Sequence, residues 1–274
     1  MVNLVLIFLV SLCWGSFLNV LACRLLHGKK FFTSRSHCPT CGTTIAWYDN
    51  IPVISWFWLR GRCRACQQPI SLLYPAIELV TALILTGLFY WVVMIPMDVS
   101  FFDHLHVTYV DSTKMLKYFL SYSLMVSALV AATRTDLESM LIPQLFTLWF
   151  APVGVVLSLI GWLPLSWSES LLGIALGYGI LWLIAFVFKV ITKKDGLGIG
   201  DMELLAMIGS FIGPVGVWIT LMIGSLSGLA IGTLYLAIGR HGRATRIPFG
   251  PFLALGALAY LFFKNTILSI VFGL

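Results

Sequence analysis

GLGIGDMELLAMIGSFIGPVGVWITLMIGSLSGLAIGTLYLAI, residues 196–238, carries Asp201 and Glu203 near its start and no further charge to its end. A bilayer core is crossed by about 20 consecutive apolar residues, so a run this long belongs in lipid rather than in a soluble core. Gly213 and Pro214 interrupt it. The reading is therefore of two pieces. Residues 202–212 form a short helix, tilted, partly solvated or re-entrant, which is tolerated only beside protein or a water-filled cavity. Residues 214–238 form a full span.

The remainder of the chain follows the same pattern. Of 274 residues, 59% are hydrophobic and 10% charged, against about 25% charged in a soluble domain. The mean hydropathy is +0.97. Further spans are expected at 3–22, 73–96, 115–133, 143–162, 170–191 and 249–272. The fold class is thus an all-α polytopic membrane protein of about eight transmembrane helices, with a small insert between the first two. Residues 1–23 are read as the first transmembrane helix, 24–72 as a cytosolic insert and 73–274 as a transmembrane bundle. No Lys or Arg precedes the first span, which is also longer than a signal-peptide core, so it is expected to stay in place with the N-terminus outside.

All but three of the 17 Lys and Arg fall in segments that this tracing puts on one side: 24–72, 134–142, 189–201 and 239–248. The exceptions are Lys114, Lys117 and Lys264. The positive-inside rule makes that side cytoplasmic. Asp98, Asp103 and Asp111 populate an opposite loop. The net charge of +6 is then a topology signal beside anionic lipid, and no nucleic-acid partner is needed.

The insert contains Cys38-Pro-Thr-Cys41 and Cys63-Arg-Ala-Cys66. Two C-x-x-C knuckles at such a separation supply four thiolates to one tetrahedral zinc, in a structural site with no open position. The alternatives are two disulfides or unligated thiols, and disulfides disagree with a reducing compartment. A segment of this size builds little core, so a metal staple is physically sensible. Cys13 and Cys23 read as packing residues. Trp47, Tyr48, Trp56, Phe57 and Trp58 either seat the module at the membrane interface or offer a platform to a substrate segment.

Two carboxylates stand out. Asp136 in "RTDLESMLIP" follows the third span, and Asp201 closes "GLGIGD". Both fall at cytoplasmic helix ends, at one membrane depth. Carboxyls brought within hydrogen-bonding reach share a proton, and the pair can act as general base and acid on one water. The plainer readings are that Asp201 caps its helix and that Asp136 pairs with Arg134. The Gly-x-Gly before Asp201 lacks the strand that a dinucleotide-binding turn needs.

Taken together, "GSFLNV" with Arg24, "CPTC" and "CRAC", "NIPVISW", "ISLLYPAIELVTAL", "TDLESMLIP", "GLGIGD" and "IPFGPFLALGAL" resemble the type IV prepilin peptidases nearly end to end. That resemblance implies that Asp136 and Asp201 are the catalytic dyad and that Cys38, Cys41, Cys63 and Cys66 bind zinc. It implies cleavage of the leader of a prepilin or pseudopilin on the cytoplasmic face of the bacterial inner membrane. It further implies N-methylation of the new terminus with S-adenosylmethionine, whose binding residues it does not identify. A peptidase lacking the methyl transfer, and a membrane scaffold or transporter, are the competing readings. Two departures are visible. Members often have Lys where this chain has Glu203, and Asp where it has Gln144. A glutamate close to the dyad would raise its proton affinity.

Overall fold

The computed structural model describes residues 4–28, 36–95, 111–194, 196–238 and 247–272. The expected outer-loop Asp98 and Asp103, and the basic residues of 29–35 and 239–246, lie outside the described residues. The described helices are α1 (Leu4–Leu26), α2 (Ile54–Trp58), α3 (Leu73–Phe89, continued by a π-helical turn Tyr90–Met94), α4 (Ser112–Ser139), α5 (Ala151–Leu159), α6 (Trp167–Thr192), α7 (Ile199–Ile238) and α8 (Gly250–Phe272). Among the described residues, extended pairing is confined to two isolated bridges.

The chain divides into two compact units, Met1–Val110 and Asp111–Leu274. In the first, α1 packs along α3. Gly15 permits this, because a Cβ there would lie 3.0 Å from both Glu78 Cα and Thr81 Cβ. Asn19 Nδ2 donates to the Tyr74 carbonyl at 3.0 Å and pins the same seam.

In the second unit α7 is the central element. Its most apolar stretch is 83% buried, against 17% for α6. Helices α5, α6 and α8 pack around it. Small residues set the spacing, as expected where lipid removes the usual hydrophobic drive between helices. A Cβ on Gly173 would sit 2.1 Å from the Gly209 carbonyl, one on Gly177 would sit 2.5 Å from the Leu205 carbonyl, and one on Gly256 would sit 2.4 Å from the Thr220 carbonyl. Ser170 Oγ donates to the Ser210 carbonyl at 2.6 Å across the α6–α7 seam.

Among the described residues, six helices are long and apolar enough to cross a membrane: Leu4–Leu26, Leu73–Met94, Ser112–Ser139, Trp167–Thr192, Ile199–Tyr235 and Gly250–Ile270. The two further segments expected from hydropathy have physical explanations. Residues 143–162 form a 3-10 turn (Gln144–Phe146) and the short α5. Pro143 opens the turn, Pro152 enters α5 in its first turn, and Gly161 at φ +69° closes it. The pieces 202–212 and 214–238 are one helical path broken at Gly213 (φ 72°, ψ −176°). Only glycine adopts that conformation readily. Unbroken, a helix of 40 residues would run about 60 Å, roughly twice the hydrocarbon thickness.

Helix α4 is longer than the expected 115–133. Asp111 caps it, accepting from the backbone N–H groups of Thr113 and Lys114, and it continues to Ser139 before Met140 turns left-handed (φ 55°). Asp136 therefore sits inside the last turn of α4 rather than beyond it.

Candidate active site and metal centre

Asp136 is buried at 5% exposure, and Asp201 lies in the first turn of α7 with partial exposure. Ile142 lies against both Gly200, next to Asp201, and Gly250, whose N–H meets Asp136, so the surroundings of the two carboxyls converge. The start of α8 joins them. Gly250 N–H donates to Asp136 Oδ2 at 2.9 Å, using one of the helix-initial donors that lack an intrahelical partner. A Cβ on Gly250 would stand 2.8 Å from that same oxygen. Ile142, in the connection after α4, wedges between the two glycines. A Cβ on Gly200 would meet it at 3.2 Å, and one on Gly250 at 3.3 Å. Three chain segments, around 136–142, 198–201 and 250, thus close on the carboxyls. Gly250 and Ile142 were not singled out as site residues in the sequence. The available signal was a glycine between Phe249 and Pro251 in "IPFGP".

The plainer readings of the aspartates are not what is seen. Arg134 is buried and pairs with Glu138 one turn along α4. Asp201 lies within its helix, which begins at Ile199. Glu203 is buried at 6% exposure and is occupied elsewhere. Its Oε2 accepts from Thr147 Oγ1 at 2.8 Å and its Oε1 from Gln144 Nε2 at 3.3 Å. Two residues further along a helix is about 200° around its axis, so Asp201 and Glu203 leave α7 on nearly opposite faces.

In the first unit, the Sγ atoms of Cys38, Cys41, Cys63 and Cys66 lie within 4.8 Å of one another, and all four cysteines are free. Cys38 Sγ and Cys66 Sγ are 3.8 Å apart. The edge of a tetrahedron with metal–sulfur bonds of about 2.3 Å is about 3.8 Å, so the cluster fits one ion and could bind zinc. The two knuckles share one construction. Cys38 N–H donates to the Thr43 carbonyl and Gly42 N–H to the Cys38 carbonyl. Cys63 N–H donates to the Gln68 carbonyl and Gln67 N–H to the Cys63 carbonyl. Bridges His37–Thr44 and Arg62–Pro69 close the two loops. Gly42 and Gln67 occupy the matching left-handed position. Thr43, through its side chain and then its backbone N–H, holds the Cys41 thiol down to about 6, and the backbone N–H groups of Cys66 and Ala65 lower that of Cys63. Both effects favour the thiolate that a metal requires, whereas at Cys66 the Gln68 backbone N–H is outweighed by burial and the neighbouring thiols, which push the thiol up to about 11.

A cavity of about 570 Å³ lies beside this centre, walled by the end of α1, the module and the start of α3. Its size suits a small-molecule ligand. Trp56 Nε1 donates to the Ile70 carbonyl at 3.1 Å and its ring covers Gly61, where a Cβ would come within 2.7 Å. Trp47, Phe57 and Trp58 remain largely exposed, compatible with either membrane seating or a substrate platform. Val53, at φ 64° and ψ −53°, is a β-branched residue in a conformation costing about 1–3 kcal/mol. Its N–H donates to Glu78 Oε2 at 2.7 Å.

Residues 9–92 match the Bacterial Peptidase A24 N-terminal domain and residues 123–233 the Type IV leader peptidase family. The chain is 34% identical to a prepilin leader peptidase/N-methyltransferase of Aeromonas hydrophila, covering 96% of this chain and 91% of that protein. It is 31% identical to a type 4 prepilin-like proteins leader peptide-processing enzyme of Escherichia coli O78:H11, covering 91% and 90%. A prepilin leader peptidase/N-methyltransferase of Stutzerimonas stutzeri is 32% identical over 87% of this chain and 75% of that protein. No solved structure gives a significant match. A helical, multi-pass membrane architecture with an N-terminal four-cysteine module and these matches define a membrane-embedded peptidase class. Within it, the chain belongs to the type IV leader peptidase family.

Proposed function

We propose that this protein cleaves the leader from prepilins or pseudopilins and then methylates the new N-terminal amine. The observation that carries the first step is the convergence of Asp136, Asp201 and the Gly250 N–H at one end of the second unit. One carboxylate takes a proton from water as it attacks the scissile carbonyl. The other protonates the leaving amine, and the pair returns to its starting state with one proton between them. Gly250 N–H fixes one oxygen of Asp136, leaving its second oxygen for the reaction. Gly198, with no side chain beside Asp201 Oδ2, lets an extended peptide backbone come close.

The basic segments support a site at the cytoplasmic face of the inner membrane, with the 73–274 bundle carrying the peptidase site. The substrate's apolar segment lies in lipid and its leader in the cytosol. Cys38, Cys41, Cys63 and Cys66 hold zinc, which staples the module and so shapes the adjoining cavity. S-adenosylmethionine is the methyl donor, and that cavity is large enough to receive it.

The test is a processing assay with full-length protein in lipid and a prepilin, read by the mass of the product N-terminus. Wild type removes the leader and adds one methyl group. Asp136→Asn and Asp201→Asn leave the prepilin intact while the proteins accumulate normally. Normal cleavage by either variant would refute the dyad.

A further inference from the structure

We propose that Glu78 is the residue that receives the newly freed amine and takes its proton during methyl transfer. This rests on the methyl-transfer half of the reading above.

The cavity of the first unit has two carboxylates in its lining, Asp49 and Glu78. Asp49 is committed: Arg64 Nε and Nη2 donate to its two oxygens at 2.7 and 2.6 Å. Glu78 is only 8% exposed, and the groups that meet it are neutral, the Val53 N–H and the Ser16 hydroxyl. A carboxylate has about four acceptor positions, so two neutral donors leave capacity unused. A buried carboxylate held this way is suited to a cation arriving with the ligand.

The surroundings fix the carboxylate in place. Val53 is held in its unusual backbone conformation with its N–H aimed at Oε2. The Cα of Glu78 rests against Gly15 of α1. Three elements therefore set its position: α1, α3 and the loop that enters α2.

The chemistry calls for such a group. A free α-amine titrates near 7.7–8, so at neutral pH it is largely an ammonium with no lone pair to donate. Glu78 pairs with that ammonium and accepts one proton. The nitrogen lone pair then forms a bond to the methyl carbon as the carbon–sulfur bond of the sulfonium donor breaks. The bonding pair stays on sulfur, leaving a neutral thioether and a secondary ammonium. General-base assistance of this kind is worth about 100- to 10,000-fold.

The experiment uses full-length protein in lipid, a prepilin and a pre-cleaved pilin segment with a free N-terminus. Cleavage and methyl addition are read separately by mass from pH 6.5 to 9.5. Glu78→Gln retains the acceptor for Val53 and is expected to cleave prepilin within about twofold of wild type. Its methyl addition falls about 100-fold at pH 7, and the deficit shrinks as the amine loses its proton at higher pH. Glu78→Asp, which keeps the carboxylate, recovers a large part of the rate and the wild-type pH profile. Wild-type methyl addition by Glu78→Gln, or a deficit that is the same at every pH, would overturn the assignment. Parallel loss of cleavage and methylation in both variants would also overturn it, showing a structural role. If wild type itself adds no methyl group, the methyl-transfer reading falls instead, and this outcome is distinct from the others.

Discussion

Gln144 Nε2 donates to Glu203 Oε1 across 3.3 Å, joining the two positions that the sequence resemblance marks as departures. The hydrogen bond ties the start of α7, which carries Asp201, to the connection that leaves α4, which carries Asp136. Glu203→Lys would bury an ammonium against Gln144 and Thr147 donors, at a cost of about 3 kcal/mol or more. Its melting temperature and cleavage rate should both fall. Adding Gln144→Asp supplies the opposite charge at the same contact and should restore most of both. A double variant no better than the single one would show that the link does not align the two helices.

The carboxyl pair should behave as one device. Asp136→Asn and Asp201→Asn are each expected to lower the cleavage rate by about a thousandfold or more, and the double variant should be little worse than either. Additive losses, measured with one prepilin and matched protein levels, would mean that the two side chains act separately.

Gly250→Ala tests the third component. The added methyl would stand 2.8 Å from Asp136 Oδ2, forcing that carboxyl aside. A shift of this scale at a reacting group costs about 100-fold in rate. The loss should appear as a lower maximal rate, with the Michaelis constant for prepilin nearly unchanged, because the added methyl group meets Asp136 itself.

Metal removal should separate the two activities. Chelation, or Cys63→Ser, removes the staple from the segments that wall the cavity. Methyl addition is expected to disappear, and the Arg60–Arg64 stretch to become sensitive to trypsin. Asp136 and Asp201, the proposed dyad, both belong to the second unit, so leader removal should persist. Zinc content of the purified protein, measured alongside, ties the effect to the metal.

The Asp49–Arg64 pair gives a pH-dependent signature. Hydrogen bonds from Arg64, and then its charge, hold the Asp49 carboxyl below its ordinary value of 3.8. A carboxyl lowered by folding stabilises the fold above its unfolded pKa, and this contribution is lost as pH drops through the folded one. Arg64→Gln should therefore unfold more readily than wild type at pH 7, and the difference should close as the pH drops through the lowered folded-state value. Acid release of metal affects both proteins alike, so the difference between their unfolding midpoints is the informative measurement.

Hydropathy and cysteine spacing made much of this legible, because both signals are local. The span positions follow from unbroken apolar runs, and the metal cluster from two knuckles that each fold within a few residues. Residues 143–162 and 202–238 show where apolar content and helical continuity part company. Residues 143–162 are apolar enough for a span, yet Pro143, Pro152 and Gly161 cut the helix short. The partners of Glu203 and the donor to Asp136 were not legible. Gln144 and Gly250 are distant in sequence from the groups they touch. Helices apolar on every side also carry little periodic signal about which face meets which neighbour.

At Gly173 and Gly209, the main chains of α6 and α7 meet with no side chain between them. Two backbones in direct contact have nothing left to repack, so this seam works as a fixed gauge. It holds the helix of Asp201 at one distance from its neighbour however the bilayer around it flexes. Room for an arriving pilin must therefore be made on the other faces of α7.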